Sequence, residues 1–218
     1  MRFDFDRLLK RHLNEEELEK YNHMQQKRAE NSENLKKSLL GHVSALNDGV
    51  VAIIITIMLL EIPFPETPAR YPGFLWSIVV FLISFFIVAD FWYENKRSFE
   101  TAREVDHPVL ILNFMFLASL ALIPVMTKWI LNRTDGFAVM NYGIIYLSTL
   151  ILQHMLTFAI VRKRFQNHCG LFLKMTLSRI GLILILNLIL IVLGYYFPRQ
   201  IIILYSLLPV LDFLQPRG

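Results

Sequence analysis

Cysteine occurs once in this chain, at Cys169, which excludes an intramolecular disulfide and leaves the redox compartment open. No Gly-rich phosphate loop, Gly-x-Ser-x-Gly elbow or His-Glu-x-x-His helix is present. Nucleotide-binding, serine-hydrolase and zinc-protease chemistries therefore have no anchor, and an enzyme is not expected. His168-Cys169 stands without further ligands at metal spacing, so neither a metal nor another cofactor is expected. A basic soluble domain is missing too, which removes nucleic acid as a partner. The first 38 residues are charged, so a cleavable signal peptide is not expected. Charge is scarce in the rest: stretches of about 20 residues run nearly free of Asp, Glu, Lys and Arg.

Apolar residues fill those stretches. Of 218 residues 55% are hydrophobic, 17 of them Phe, more than a soluble fold of this size can hide from water. The chain reads as an all-α membrane protein whose partner is the lipid bilayer. At 1.5 Å rise per residue, six segments predict transmembrane helices: 39–62, 74–94, 108–129, 138–161, 177–197 and 200–214. Pro198 separates the last two, and Pro209 interrupts the final one. Residues 63–68 and 132–136 are short turn-like connections between antiparallel neighbours. Three regions follow: a charged segment at 1–38, a membrane domain at 39–214, and a tail at 215–218.

Lys and Arg set the orientation. Residues 1–41, 95–107, 162–179 and the tail hold 18 of them, whereas the alternate loops hold only Arg70, Lys128, Arg133 and Arg199. The positive-inside rule places both termini in the cytoplasm of a multi-pass protein of the cell membrane. Segment 1–38 is rich in Glu, Lys, Asn and Gln and predicts a helix. Its apolar residues, including Phe3, Leu9, Leu18 and Tyr21, sustain no heptad repeat. A solvated or membrane-surface helix and an assembly helix both remain open.

The first span contains a carboxylate, Asp48, which costs several kcal/mol in a bilayer unless it is paired or wet. Around it the chain reads Asp48-Gly-Val-x-Ala52-Ile53-x-x-Thr56, then Leu60-Glu61-Ile62-x-x-Pro65. This helix resembles the signature helix of the transmembrane protein 175 family, the endosomal and lysosomal potassium channels and their prokaryotic single-repeat relatives. Phe85-Phe86 and Trp92 resemble that family's second helix, and Asp106, Asn113, Leu117 and Pro124 its third. The resemblance covers about residues 42–125. The family's hallmark Arg-x-x-x-Phe-Ser-Asp is altered: His42, Leu46 and Asn47 stand where Arg, Phe and Ser are expected, and Asn95 stands where a His is expected. The resemblance implies six helices per subunit and a homotetramer with the first helix lining a central pore. It implies permeation of monovalent cations with K+ preferred, Na+ and H+ being the other candidates. The pore-constricting Ile of relatives falls on Ile53, and the Thr associated with selectivity falls on Thr56.

A helical wheel bears on the same residues independently. At 100° per residue Leu46, Gly49, Ile53, Ile57 and Leu60 lie within about 40° of one direction, with Thr56 about 60° off it. If this stripe lines a fourfold axis, Leu46, Ile53, Ile57 and Leu60 form an apolar constriction that gates by dewetting, Gly49 lines it, and Thr56 offers hydroxyl oxygens. Otherwise the stripe packs against lipid or another helix. Asp48 points about 140° away from Ile53, which predicts a place between helices rather than on the axis. A polar layer of Asp48, Asn47, Asn113, His154 and Arg179 is expected, with Asp48 accepting from Asn113, His154 or Arg179. His154 either relays protons or simply donates a hydrogen bond. His42, at the cytoplasmic mouth, would give that mouth a charge that varies near neutral pH. Glu61 and Glu66 either gather cations or are solvated loop residues. The Thr-Val-Gly-Tyr-Gly carbonyl filter is absent, so any K+ preference must come from side chains. A leak-like channel leads this reading. A proton-coupled secondary transporter and a non-conducting membrane scaffold are its alternatives, the former opposed by the lack of an inverted repeat.

Overall fold

The computed structural model describes residues 15–102, 105–164 and 169–209, and every regular element among them is helical. Seven α-helices are assigned there: α1 Glu15–Leu60, α2 Tyr71–Thr101, α3 His107–Leu120, α4 Ile123–Asn132, α5 Gly136–Arg164, α6 Cys169–Tyr196 and α7 Pro198–Tyr205. A 3-10 turn at Pro68–Arg70 precedes α2. Helices close every backbone hydrogen bond within their own segment, which a hydrocarbon surrounding demands. Proline sets several starting points. Pro72, Pro108, Pro124 and Pro198 each occupy a first-turn position, where the missing N–H has no intrahelical partner to lose. Asp135 serves α5 differently, its Oδ1 accepting from the Ala138 N–H at 2.8 Å.

Four helical segments are long and apolar enough to cross a membrane: 16–60, 68–101, 107–132 and 136–162. This makes the chain a multi-pass membrane protein. A further apolar stretch, Ile183–Tyr196, is shorter. The expected third span, 108–129, is two helices. Ala121 and Leu122 turn between them, with the Leu122 N–H bonded three residues back to Ser119 O at 3.1 Å. Pro124 supplies no N–H to carry the α-pattern through this point. Residues 177–196 of the expected span 177–197 lie within α6, which begins earlier, at Cys169, and ends at Tyr196, just before Phe197. Of the expected span 200–214, α7 (Pro198–Tyr205) accounts for the six residues 200–205, residues 207–209 are also helical, and the far end lies outside the described residues, as does the tail 215–218.

The chain divides into two units, Met1–His42 and Val43–Gly218, so the boundary falls four residues beyond the expected 1–38 segment. In the first unit the described residues are helical and almost all exposed. Local one-turn ion pairs, Glu16–Lys20 and Glu33–Lys37, support that helix.

In the second unit α5 is the central helix, packing against α2, α3, α4, α6 and α7. Its buried face carries Ala138, Val139, Tyr142, Tyr146 and Leu150, and these join Ile83, Ile87 and Phe91 of α2 with Phe116 and Leu120 of α3 in one apolar core. Lipid tails are as apolar as these side chains, so close fit rather than escape from water holds such helices together. Gly136 illustrates the fit. A Cβ there would stand 2.1 Å from the carbonyl oxygen of Tyr195. Three buried hydroxyls are paired with one another: Thr127 Oγ1 lies 2.9 Å from Ser84 Oγ, which is 3.1 Å from the Tyr142 hydroxyl. These residues link α4, α2 and α5.

Candidate functional site

From Val43 to Leu60, α1 has two unlike faces. Val43, Asn47, Val51, Ile54 and Met58 recur at spacings of four and three residues, and all are buried. They anchor the helix to the core. Leu46, Ile53, Ile57 and Leu60 lie on the other side, with Ile53 58% and Leu60 84% exposed. Gly49 is exposed too, and a Cβ placed on it would meet nothing within 4 Å. The stripe singled out on the wheel is therefore left unpacked by its own protomer. A continuous apolar surface of this kind belongs to lipid or to another subunit.

Thr56 is exposed on the same side, and its hydroxyl donates to the carbonyl oxygen of Ile53 at 2.9 Å. With the proton committed to the backbone, the hydroxyl oxygen keeps its lone pairs free, the state suited to contact with a cation. His42 is exposed in the first unit.

On the buried side three amides form a closed knot. Asn47 Nδ2 donates to Asn95 Oδ1 at 2.8 Å and to Asn113 Oδ1 at 3.1 Å. Asn113 Nδ2 donates back to Asn47 Oδ1 at 2.8 Å, and Asn95 Nδ2 reaches Asn113 Oδ1 at 3.5 Å. Asn47 is 4% exposed and Asn113 fully enclosed. The knot ties α1, α2 and α3 together with no ionisable group, and its donors and acceptors satisfy one another in a site closed to water.

Among the described residues, the donors to Asp48 are not the ones expected of it. Its Oδ1 accepts from Trp92 Nε1 at 2.8 Å and its Oδ2 from Lys96 Nζ at 2.9 Å, while Lys96 also donates to Ser44 Oγ at 3.1 Å. The expected donor Asn113 is taken up by Asn47 and Asn95. The reason is angular: one residue turns the helix by about 100°, so Asn47 enters the protomer interior and Asp48 is carried to its rim. There its side chain is 43% exposed and Lys96 35%. His154 is half-buried on α5 with Nε2 enclosed, and Arg179 falls where side chains lie outside the described residues. Trp92, Asn95 and Lys96 are the partners that sequence reasoning did not assign. Their spacing was the available signal, since positions i, i+3 and i+4 of α2 share one face. Among the described residues no group of three His, Cys, Asp or Glu side chains is arranged to hold a metal.

An apolar α1 face left open by its protomer, backed by a polar knot inside a multi-pass helical unit, describes a membrane protein built to present one helix to an assembly or to lipid. The comparisons give the class a family. The family model of the endosomal/lysosomal potassium channel TMEM175 matches residues 42–124. A potassium channel of Chryseobacterium sp. (strain P1-3) is 35% identical over 132 residues, covering 58% of this chain and 68% of that protein. A potassium channel of Streptomyces collinus is 33% identical over 92 residues, covering 38% and 44% respectively. The fold is similar to the crystal structure of a lysosomal potassium-selective channel TMEM175 homolog from Chamaesiphon minutus, with a TM-score of 0.65 at 21% identity. That likeness covers 82% of this chain and all of the solved one. The chain belongs to the TMEM175 potassium channel family.

Proposed function

We propose that this protein is a leak-like, K+-preferring cation channel of the cell membrane, assembled as a homotetramer around residues 46–60 of α1. One observation carries the reading: the α1 face of Leu46, Gly49, Ile53, Ile57 and Leu60 stays exposed while the opposite face is packed into the core. Four copies of that face around an axis enclose a narrow apolar conduit. Leu46, Ile53, Ile57 and Leu60 restrict it by dewetting, and Thr56 presents hydroxyl oxygens within it. Both termini lie in the cytoplasm on this reading, following the distribution of Lys and Arg. His42 then stands at the cytoplasmic mouth, and the C-terminal end of α1 opens outward. The amide knot and the Asp48–Trp92–Lys96 contacts hold α1 at the rotation that turns Ile53 to the axis. The relatives named as potassium channels support K+ as the permeant ion, and channel relatives point away from catalysis.

Flux through liposomes containing the purified protein tests the reading. Rapid K+ equilibration without a coupling ion, by a particle of four subunits, is expected. Slow saturable uptake driven by a proton gradient would identify a carrier. No flux from a well-folded particle would identify a scaffold.

A further inference from the structure

Just past the exposed stripe of α1 stands a carboxylate, Glu61. Its Oε1 and Oε2 lie 3.1 and 2.9 Å from Lys128 Nζ, on α4. The connections that flank α1–α2 and α4–α5 hold two more acidic side chains, both paired within their own segment. Glu66 meets Arg70 four residues on, and Asp135 meets Arg133 two residues back. Pairs of that kind are solvated and move with their loop. Glu61–Lys128 differs, because it spans 67 residues of chain and fixes a cation beside the end of the stripe. Glu61 is 28% exposed and Lys128 53%, so the ammonium stays in contact with water while the carboxylate is partly covered.

We propose that Lys128 controls cation throughput by silencing the Glu61 carboxylate at the outer end of the pathway. The inference rests on the tetrameric channel reading. Four Glu61 side chains around an axis would form a ring of negative charge, which concentrates cations and speeds their entry. Four Lys128 side chains cancel that ring at contact distance. The outer mouth is thereby nearly neutral, and entry of K+ is limited by its bulk concentration. Lys128 does not lie on the stripe; its effect on permeation is through the field at the entrance.

The test uses the full chain in planar bilayers, with inward K+ conductance measured at 10 mM and at 1 M KCl for the native protein, K128Q, E61Q and E61Q/K128Q. The Debye length is about 30 Å at 10 mM and about 3 Å at 1 M, so only the dilute condition reports the field. K128Q, with its carboxylates unmasked, is expected to conduct roughly three- to tenfold more than the native protein at 10 mM KCl. E61Q, with its ammonium groups unmasked, is expected to conduct several-fold less. The double variant returns to about the native value, and all four converge at 1 M KCl. Both single variants cut the same α1–α4 tie, so a purely structural role would move them in the same direction. That outcome overturns the proposal, as does a change that persists at 1 M KCl. If K128Q does not assemble, K128M keeps the aliphatic stem and carries the same arm of the test. A native protein that forms its oligomer yet passes no K+ ends the channel reading, and this proposal with it, a result distinct from equal conductance in all four proteins.

Discussion

Replacing Asn113 by Leu removes three of the four hydrogen bonds in the Asn47–Asn95–Asn113 knot, leaving only Asn47 Nδ2 to Asn95 Oδ1. The substitution is nearly isosteric, so little of its effect comes from volume. Asn47 Oδ1 loses its donor and Asn95 Nδ2 its acceptor, both in positions closed to water. An orphaned buried polar group costs about 1–3 kcal/mol in proteins generally. Side-chain bonds between membrane helices measure about 0.6 kcal/mol on average and up to about 1.7, because the unfolded chain finds other partners in the bilayer. Two orphans therefore place N113L about 1–3 kcal/mol below the native protein in stability. The triple variant N47L/N95L/N113L leaves no orphan, and replacing all partners by apolar groups of similar shape is nearly neutral. It is expected to be more stable than N113L despite carrying three changes. Denaturation in mixed SDS micelles, followed by circular dichroism, measures both. A triple variant that loses as much as the three single variants combined would show that the amides act independently, and the account of the knot would be wrong.

Further consequences concern the other contacts. G136A should cost at least about 1–3 kcal/mol, because the new Cβ meets backbone at Tyr195, whereas G49A has open space around it and should be neutral; thermal unfolding of the two compares them directly. D48A strands the Trp92 N–H and leaves Lys96 with Ser44 alone, but at a half-exposed rim the loss should be only about 1 kcal/mol. Recordings of D48A should show reduced assembly or current with unchanged K+ over Na+ preference, and a stable tetramer with shifted preference would overturn its assignment to support of α1. I53N should hydrate the constriction and raise the current roughly several-fold, whereas I54N, one residue on but in the core, should fail to fold. Equal behaviour of these two variants in flux and in yield would contradict the two-faced description of α1.

Much of this protein was legible from residue types and spacing alone. Apolar stretches and proline positions marked helices and their starts, and the four-and-three periodicity of α1 separated Leu46, Ile53, Ile57 and Leu60 from the rest. Asp48-Gly-Val and the residues that follow carried the family. Periodicity is a property of one helix, so a linear sequence can express it. The partners of Asp48 were not legible in the same way. Depth along the membrane is shared by side chains on several helices, and depth alone could not choose among Asn113, His154, Arg179, Trp92 and Lys96.

Composition and order of the amino acids by themselves determined that the chain is helical, that it inhabits a bilayer and that α1 has an apolar stripe distinct from its polar positions. Tertiary structure decided the rest: which direction around α1 is the protein interior, that Asn47 rather than Asp48 enters it, that the third span breaks at Ala121–Leu122, and that Lys128 lies against Glu61. The physical reason is that a helix rotates by about 100° with each residue. A polar side chain is therefore placed inside or at the rim by the azimuth at which neighbouring helices dock, and that azimuth is set by the packing of all the helices at once.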